Sequence, residues 1–127
     1  MGKVSKGSAA EHFEGPGFEG HYGEVDGYTI GFERYDEDQD PADLFKGLPN
    51  DHCQARHWGV VLRGSLVYRY EDGSEDVIGA GEAYHARPGH LPLFTAGTEI
   101  VEFSPSDELA RTMEVVMRNL EAITDRS

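Results

Sequence analysis

The chain has 127 residues, of which 38% are hydrophobic and 28% charged, and its 24 acidic and 11 basic residues give a formal net charge of −13. This length fits one soluble domain with its own core, and the negative charge disfavours nucleic acid and anionic membranes as partners. No stretch approaches the roughly 20 apolar residues of a membrane span, and the first residues lack the apolar segment of a secretion signal. We therefore predict a cytoplasmic protein, and its single cysteine, Cys53, fits a reducing compartment.

The N-terminal residues differ in composition from the rest of the chain. Residues 1–15 are polar and rich in glycine and serine, so we predict a disordered N-terminus there and a single domain over residues 16–127. From His21 onward, aromatic and β-branched residues alternate with polar ones around Asp26-Gly27. This pattern predicts a β-hairpin.

Short strand patterns follow one another from residue 57. They are HWGVVL (57–62), SLVYRY (65–70), EDVI (75–78), EAYHAR (82–87) and EIVEF (99–103), and glycine-containing turns follow the first four. Strands joined without intervening helices predict an antiparallel sandwich or barrel. The first of them is apolar on both faces, so we expect it to be covered on both sides.

The end of the chain has a helical pattern. Ser104 is a candidate N-cap and Pro105 a candidate first helical residue. An apolar stripe follows at spacings of four and three: Leu109, Met113, Val116, Leu120 and Ile123. Such a stripe packs either on the outside of the sheet or in a dimer seam, and the sequence leaves both open.

Four of the six histidines lie between residues 52 and 90. Imidazole is a common metal ligand, so this clustering suggests a site. In a plain strand, however, His52 and His57 would face opposite sides, and so would His85 and His90. Each pair can converge only through a turn, and Pro88-Gly89 offers one for the second pair.

The segments HCQARHWGVVLRG (52–64) and GAGEAYHARPGHLPLF (79–94) resemble the two conserved motifs of the cupin superfamily. By this resemblance, His52 stands at a ligand position and His57 replaces the usual glutamate. Asn50 and Pro92 replace two further ligands. His90 follows the same turn as the lost second-motif histidine, which makes it the preferred third ligand.

The resemblance implies an all-β fold, an antiparallel cupin-type β-barrel (jelly-roll) with a C-terminal α-helix, and a homodimer. It implies a divalent transition metal, Zn²⁺, Ni²⁺ or Fe²⁺, held by His52, His57 and His90. Possible additional ligands or pocket residues are Cys53, Tyr84, His85 and Arg87. Each has a structural alternative: a hydrogen-bonded core histidine, an inert buried thiol, a tyrosine whose hydroxyl reaches the surface, or a surface salt bridge.

Two functions follow. The first is a small-molecule or metal-binding cupin barrel with a histidine-rich interior. The alternative is a metal-dependent cupin enzyme, of the dioxygenase or isomerase type, that acts on a small polar substrate. The altered motifs favour the first, and no catalytic residue is assigned.

Overall fold

The computed structural model describes residues 2–124, which form nine β-strands followed by one C-terminal α-helix. The strands are β1 (Glu11–Gly15), β2 (Phe18–Val25), β3 (Tyr28–Tyr35), β4 (His57–Arg63), β5 (Ser65–Tyr70), β6 (Glu75–Gly79), β7 (Ala83–Ala86), β8 (His90–Phe94) and β9 (Thr98–Pro105). The helix α1 spans Ser106–Thr124. Two short 3₁₀ helices, Ala42–Phe45 and Pro49–Asp51, lie between β3 and β4.

The strands pair in two antiparallel sheets that enclose the main core. One has the order β1-β2-β3-β9-β4-β7, and the other has the order β6-β5-β8. The core between them draws residues from both sheets: Tyr35, Val61, Ala86 and Ile100 from the first, and Leu66, Tyr68, Tyr70, Ile78 and Phe94 from the second. The predicted all-β antiparallel fold with a C-terminal helix is confirmed.

Strand β4 directs alternate residues to the interior, among them Val61, which is fully buried. Gly59 also faces inward, and a Cβ there would lie 2.5 Å from the Val101 carbonyl oxygen and 2.6 Å from the Tyr84 hydroxyl. A side chain at position 59 would clash with the Tyr84 side chain, which lies against β4, so glycine is needed there. The outer side of β4 is covered less than expected, because Leu62 is 51% exposed.

The N-terminal half of the first sheet is a hairpin with an added edge strand. The predicted turn at Asp26-Gly27 joins β2 to β3, and both residues have positive φ. Within the segment predicted to be disordered, Glu11–Gly15 form β1 and pair with β2. This strand borders only one neighbour.

The helix begins later than predicted. Ser104 and Pro105 belong to β9, where they pair with Thr29 and Tyr28 of β3, and α1 starts at Ser106. Val116 packs into a second core cluster with Phe45, Leu48, Cys53 and Ala55. The helix therefore covers the 3₁₀ segment and the loop before β4. Within residues 2–124, no helix combines the length and the apolar character that crossing a membrane requires.

Candidate metal centre

Three potential ligands meet between the two sheets. Cys53, His57 and His90 each offer a ligand atom, and these atoms all lie within 4.8 Å of one another. Their exposures are only 2%, 6% and 1%. Three groups that can each ligate a metal therefore share one buried place.

Backbone hydrogen bonds place Cys53 beside His90. The Cys53 N–H donates to the His90 carbonyl at 2.9 Å, and the Gly89 N–H donates to the Cys53 carbonyl at 2.8 Å. This bridge ties the loop after the second 3₁₀ helix to the start of β8. From Cys53 the chain continues to the other sheet, where His57 is the first residue of β4.

The His90 ring is held from one nitrogen. Its Nδ1 lies 2.5 Å from the Arg87 carbonyl oxygen, which can only accept, so Nδ1 carries the proton and donates. Nε2 is left with its lone pair. The ring centroid is 4.9 Å from that of His57 and 4.8 Å from that of Tyr68.

The His57 ring is held in the same way. Its Nδ1 lies 2.6 Å from the Ser104 hydroxyl and 3.1 Å from Glu102 Oε1. An ionised carboxylate only accepts, so it favours the tautomer with the proton on Nδ1. Nε2 then faces the Cys53 Sγ at 3.7 Å. A carboxylate on the far nitrogen is the arrangement that orients metal-binding histidines.

Glu102 is itself fixed by two tyrosines. The hydroxyls of Tyr84 and Tyr68 donate to its Oε2 at 2.5 Å and 2.8 Å. Burial raises the pKa of Glu102, and these hydrogen bonds oppose that rise by stabilising the carboxylate. The result is a hydrogen-bonded carboxyl group behind His57.

Burial sets the protonation of the cluster. It lowers the pKa of His57 to about 4 and, together with the charge of His57, that of His90 to about 3. Both imidazoles are therefore neutral at neutral pH, which is the form that binds metals. Burial also raises the pKa of the Cys53 thiol, so metal binding there would release a proton.

The donor set fits a tetrahedral Zn²⁺ ion. With Zn–S near 2.3 Å and Zn–N near 2.0 Å, sulfur and nitrogen on one tetrahedral ion lie about 3.5 Å apart. The observed separation of Cys53 Sγ and His57 Nε2 is 3.7 Å. One thiolate and two imidazoles also suit zinc better than Mg²⁺ or Ca²⁺.

The predicted ligands are only partly brought together. His57 and His90 meet, and Cys53, predicted as an additional ligand, joins them. His52 lies outside this cluster, half-buried, and its Nδ1 is 2.6 Å from the Asn50 carbonyl oxygen. The 3₁₀ turn before it directs Cys53, and not His52, to the interior.

The other candidate residues divide between the two sides of the sheets. Tyr84 faces the interior and reaches Glu102. His85 lies on the outer face, where its ring stacks on Trp58 with centroids 4.7 Å apart. The Arg87 guanidinium lies 4.1 Å over the Tyr70 ring, so it is the Arg87 carbonyl that contributes to the cluster, through His90.

Three polar residues beside the cluster were not predicted from the sequence: Glu102, Ser104 and Thr112. The Thr112 hydroxyl, on α1, lies 3.5 Å from Cys53 Sγ. Glu102 and Ser104 lie on the same side of β9 as the buried Ile100. The alternation of side chains along β9 could have placed Glu102 and Ser104 inside. The apolar Val101 and Phe103 on the opposite side, however, suggested that this other side was the buried one.

Solved structures align with this arrangement of sheets over most of the chain. An RmlC-like cupin from Shewanella frigidimarina NCIMB 400 is 18% identical and aligns over 83% of this chain and 92% of its own, with a TM-score of 0.53. The chain has a cupin fold. A protein of unknown function from Rhizobium leguminosarum bv. viciae 3841 aligns over 82% of this chain and 95% of its own, at 19% identity and a TM-score of 0.57.

An enzyme also aligns with this cupin fold. The S161A mutant of Bacillus subtilis oxalate decarboxylase is 13% identical and has a TM-score of 0.55, over 83% of this chain but only 30% of the enzyme. No family model and no curated protein matches the sequence. At these identities, the likeness extends to the fold alone.

Proposed function

We propose that this cupin-fold chain binds one divalent transition metal ion through Cys53, His57 and His90, with Zn²⁺ the best fit. The observation that carries the proposal is the convergence of a buried thiol and two buried imidazoles. Both rings are oriented from Nδ1, by Glu102 with Ser104 and by the Arg87 carbonyl. That orientation leaves the Nε2 lone pair of each ring free for a metal, and the Nε2 of His57 faces the thiol at 3.7 Å.

Three protein ligands leave one tetrahedral position for water or a small molecule. A bound zinc ion would act there as a Lewis acid. Tyr68 and Tyr84 line the adjacent interior, and their hydroxyls can orient a small polar ligand once they exchange their bonds to Glu102. The proposed function is therefore binding of a metal and a small molecule.

A metal-dependent enzyme is the second candidate, and Glu102 is the observation that favours it. Burial raises the pKa of this carboxyl group, which contacts the far nitrogen of the proposed ligand His57. Such a group can hold or move a proton for an isomerase or dioxygenase type of reaction. Turnover of a small polar substrate that is lost in Glu102→Gln, with metal still bound, would support the enzyme.

Elemental analysis tests the metal proposal. After dialysis against Zn²⁺, we expect His57→Ala, His90→Ala and Cys53→Ser each to hold one equivalent less than the wild-type protein. His85→Ala removes an exposed imidazole and should hold the wild-type amount, as should His52→Ala. Circular dichroism checks that each variant is folded. Equal zinc in folded wild-type protein and folded His90→Ala would contradict the proposal.

We also propose that the chain is a homodimer that resides in the cytoplasm. Tyr28, Trp58 and Phe103 line an apolar depression of about 280 Å³ on the outer face of the larger sheet. Tyr28 is 43% and Phe103 40% exposed, and a second copy can cover this surface. Light scattering should give the mass of two chains for the wild-type protein and of one for Trp58→Ser; one chain for both would contradict the dimer.

A further inference from the structure

A second set of potential ligands lies on the outer face of the β1–β2 hairpin. His12 pairs with His21 across the two strands, and Glu14 pairs with Glu19 two residues further along. Because side chains alternate along a strand, these four residues share one face. Two histidines and two carboxylates are thus neighbours on a regular ladder.

The side chains converge on Glu19. His12 Nε2 lies 3.5 Å from Glu19 Oε2, and His21 Nε2 lies 3.5 Å from Glu19 Oε1. The two imidazole rings stack with centroids 4.4 Å apart. Donors that share one zinc ion at 2.0–2.2 Å lie about 3.3–3.6 Å apart when tetrahedral, so this spacing already approaches that of a metal site.

Two cations also contact Glu19, but on one oxygen only. Arg34 lies 3.3 Å and Lys6 3.8 Å from Oε1. Oε2 faces His12, and it can bind a metal while Arg34 holds Oε1. An orienting partner on a metal-binding carboxylate is common.

The cluster is open to solvent, unlike the buried one. The side chains of His12, His21 and Glu19 are 46%, 21% and 19% exposed. A metal ion can therefore reach them without any rearrangement of the sheets.

We propose that His12, His21 and Glu19 form a second metal site, for Zn²⁺ or another imidazole-preferring divalent ion, with Glu14 as a candidate fourth ligand. Glu14 Oε1 lies 3.3 Å from His12 Nε2. The site links β1, an edge strand with one neighbour, to β2. A metal bound there clamps an edge strand, which has backbone partners on one side only.

Zinc content and hydrogen exchange test this site independently of the buried one. After dialysis against Zn²⁺, we expect His12→Ala/His21→Ala to hold one equivalent less than the wild-type protein, whatever the buried cluster holds. Zinc should also slow amide exchange in residues 11–15 of the wild-type protein at least several-fold and leave it unchanged in the double variant.

The single variant His12→Ala should bind zinc at this site at least about tenfold more weakly, and His85→Ala, which removes a surface imidazole elsewhere, should not. Equal zinc content in the wild-type protein and the folded double variant would overturn the second site. So would zinc binding with no change in exchange over residues 11–15. Loss of the equivalent assigned to Cys53, His57 and His90 would leave this comparison intact.

Discussion

At the scale of single residues, Glu102 determines how His57 is presented. Its Oε1 lies 3.1 Å from His57 Nδ1, while its Oε2 accepts from Tyr68 and Tyr84. The ring cannot turn without losing this contact and the one to Ser104. Glu102 is therefore a positioning residue for the proposed metal site.

Glu102→Gln should weaken zinc binding at the buried site about 10- to 100-fold, because an amide is a poorer partner than a carboxylate for the Nδ1 proton. Competition with a chelator measures this affinity. Glu99→Gln, on the opposite side of β9 beside Arg63, is the matched control and should bind as the wild-type protein does. Unchanged affinity in Glu102→Gln would show that His57 does not depend on the carboxylate.

Glu33 is a second interior carboxyl group with an unusual environment. It accepts from Tyr22 at 2.5 Å and from Tyr35 at 3.1 Å. Its partner on the neighbouring strand is Ile100, so Glu102 lies diagonally across from it, two residues further along β9. Burial, with the charge of Glu102, raises the pKa of Glu33 to about 7. Since the folded protein then holds a proton that the unfolded chain releases above about pH 4.5, stability falls as the pH rises toward 7.

Glu33→Gln should remove this dependence. Between pH 4 and 8, the free energy of unfolding of the wild-type protein should fall relative to the variant by about 2–3 kcal/mol, and urea titrations at each pH measure it. Glu24→Gln, at an exposed position of the same sheet, is the control. Parallel pH curves for the wild-type protein and Glu33→Gln would contradict the raised pKa.

The sequence predicted the site only in part, for reasons that can be stated residue by residue. His57 and His90 were predicted through the resemblance of their segments to the cupin motifs, with His57 at the place of the glutamate and His90 after the Pro-Gly turn. The choice between His52 and Cys53 depends on a 3₁₀ turn in which Asn50 and Asp51 have positive φ. Pro49-Asn50-Asp51 favours a turn, but it does not indicate which of the following residues faces the interior.

At the scale of elements, α1 closes the cluster from the side. Val116 packs with Phe45, Leu48 and Ala55, and Thr112 reaches Cys53 Sγ. The backbone N–H and the guanidinium of Arg56, in the loop before β4, both donate to Glu108 of α1. The helix therefore holds the loop that carries Cys53.

Val116→Ala should lower the free energy of unfolding by about 1–2.5 kcal/mol, since it removes two buried methyl groups and leaves a cavity. Chemical denaturation measures the loss. Met117→Ala, at a neighbouring position that is 44% exposed, should change stability by less than about 0.5 kcal/mol. Equal losses in the two variants would mean that α1 does not pack through Val116.

Strands with alternating apolar residues were predicted from the sequence, and two edge strands were missed. β8 contains Pro92, which is tolerated because β8 lies at the edge of its sheet. β1 lacks the alternation of apolar and polar residues that predicts a strand, and within it only Gly15 is partly buried. The start of α1 was wrong by one residue because Pro105 ends a strand paired with β3.

At the scale of the whole molecule, the two sheets bring together residues that are far apart in sequence. Cys53 and His90 are joined by backbone bonds at the smaller sheet, and His57 and Glu102 belong to the larger one. The buried cluster therefore exists only in the folded protein. Metal binding there is expected to stabilise the fold, because the unfolded chain lacks the preformed site.

X-ray absorption at the zinc edge tests the central claim most directly. Of the two proposed sites, the zinc-loaded His12→Ala/His21→Ala variant retains the buried one, so it isolates that site. We predict one sulfur neighbour at about 2.3 Å and two imidazole nitrogens at about 2.0 Å, with the sulfur lost in an added Cys53→Ser substitution. A zinc shell of nitrogen and oxygen alone, unchanged by Cys53→Ser, would contradict the proposed Cys53–His57–His90 centre.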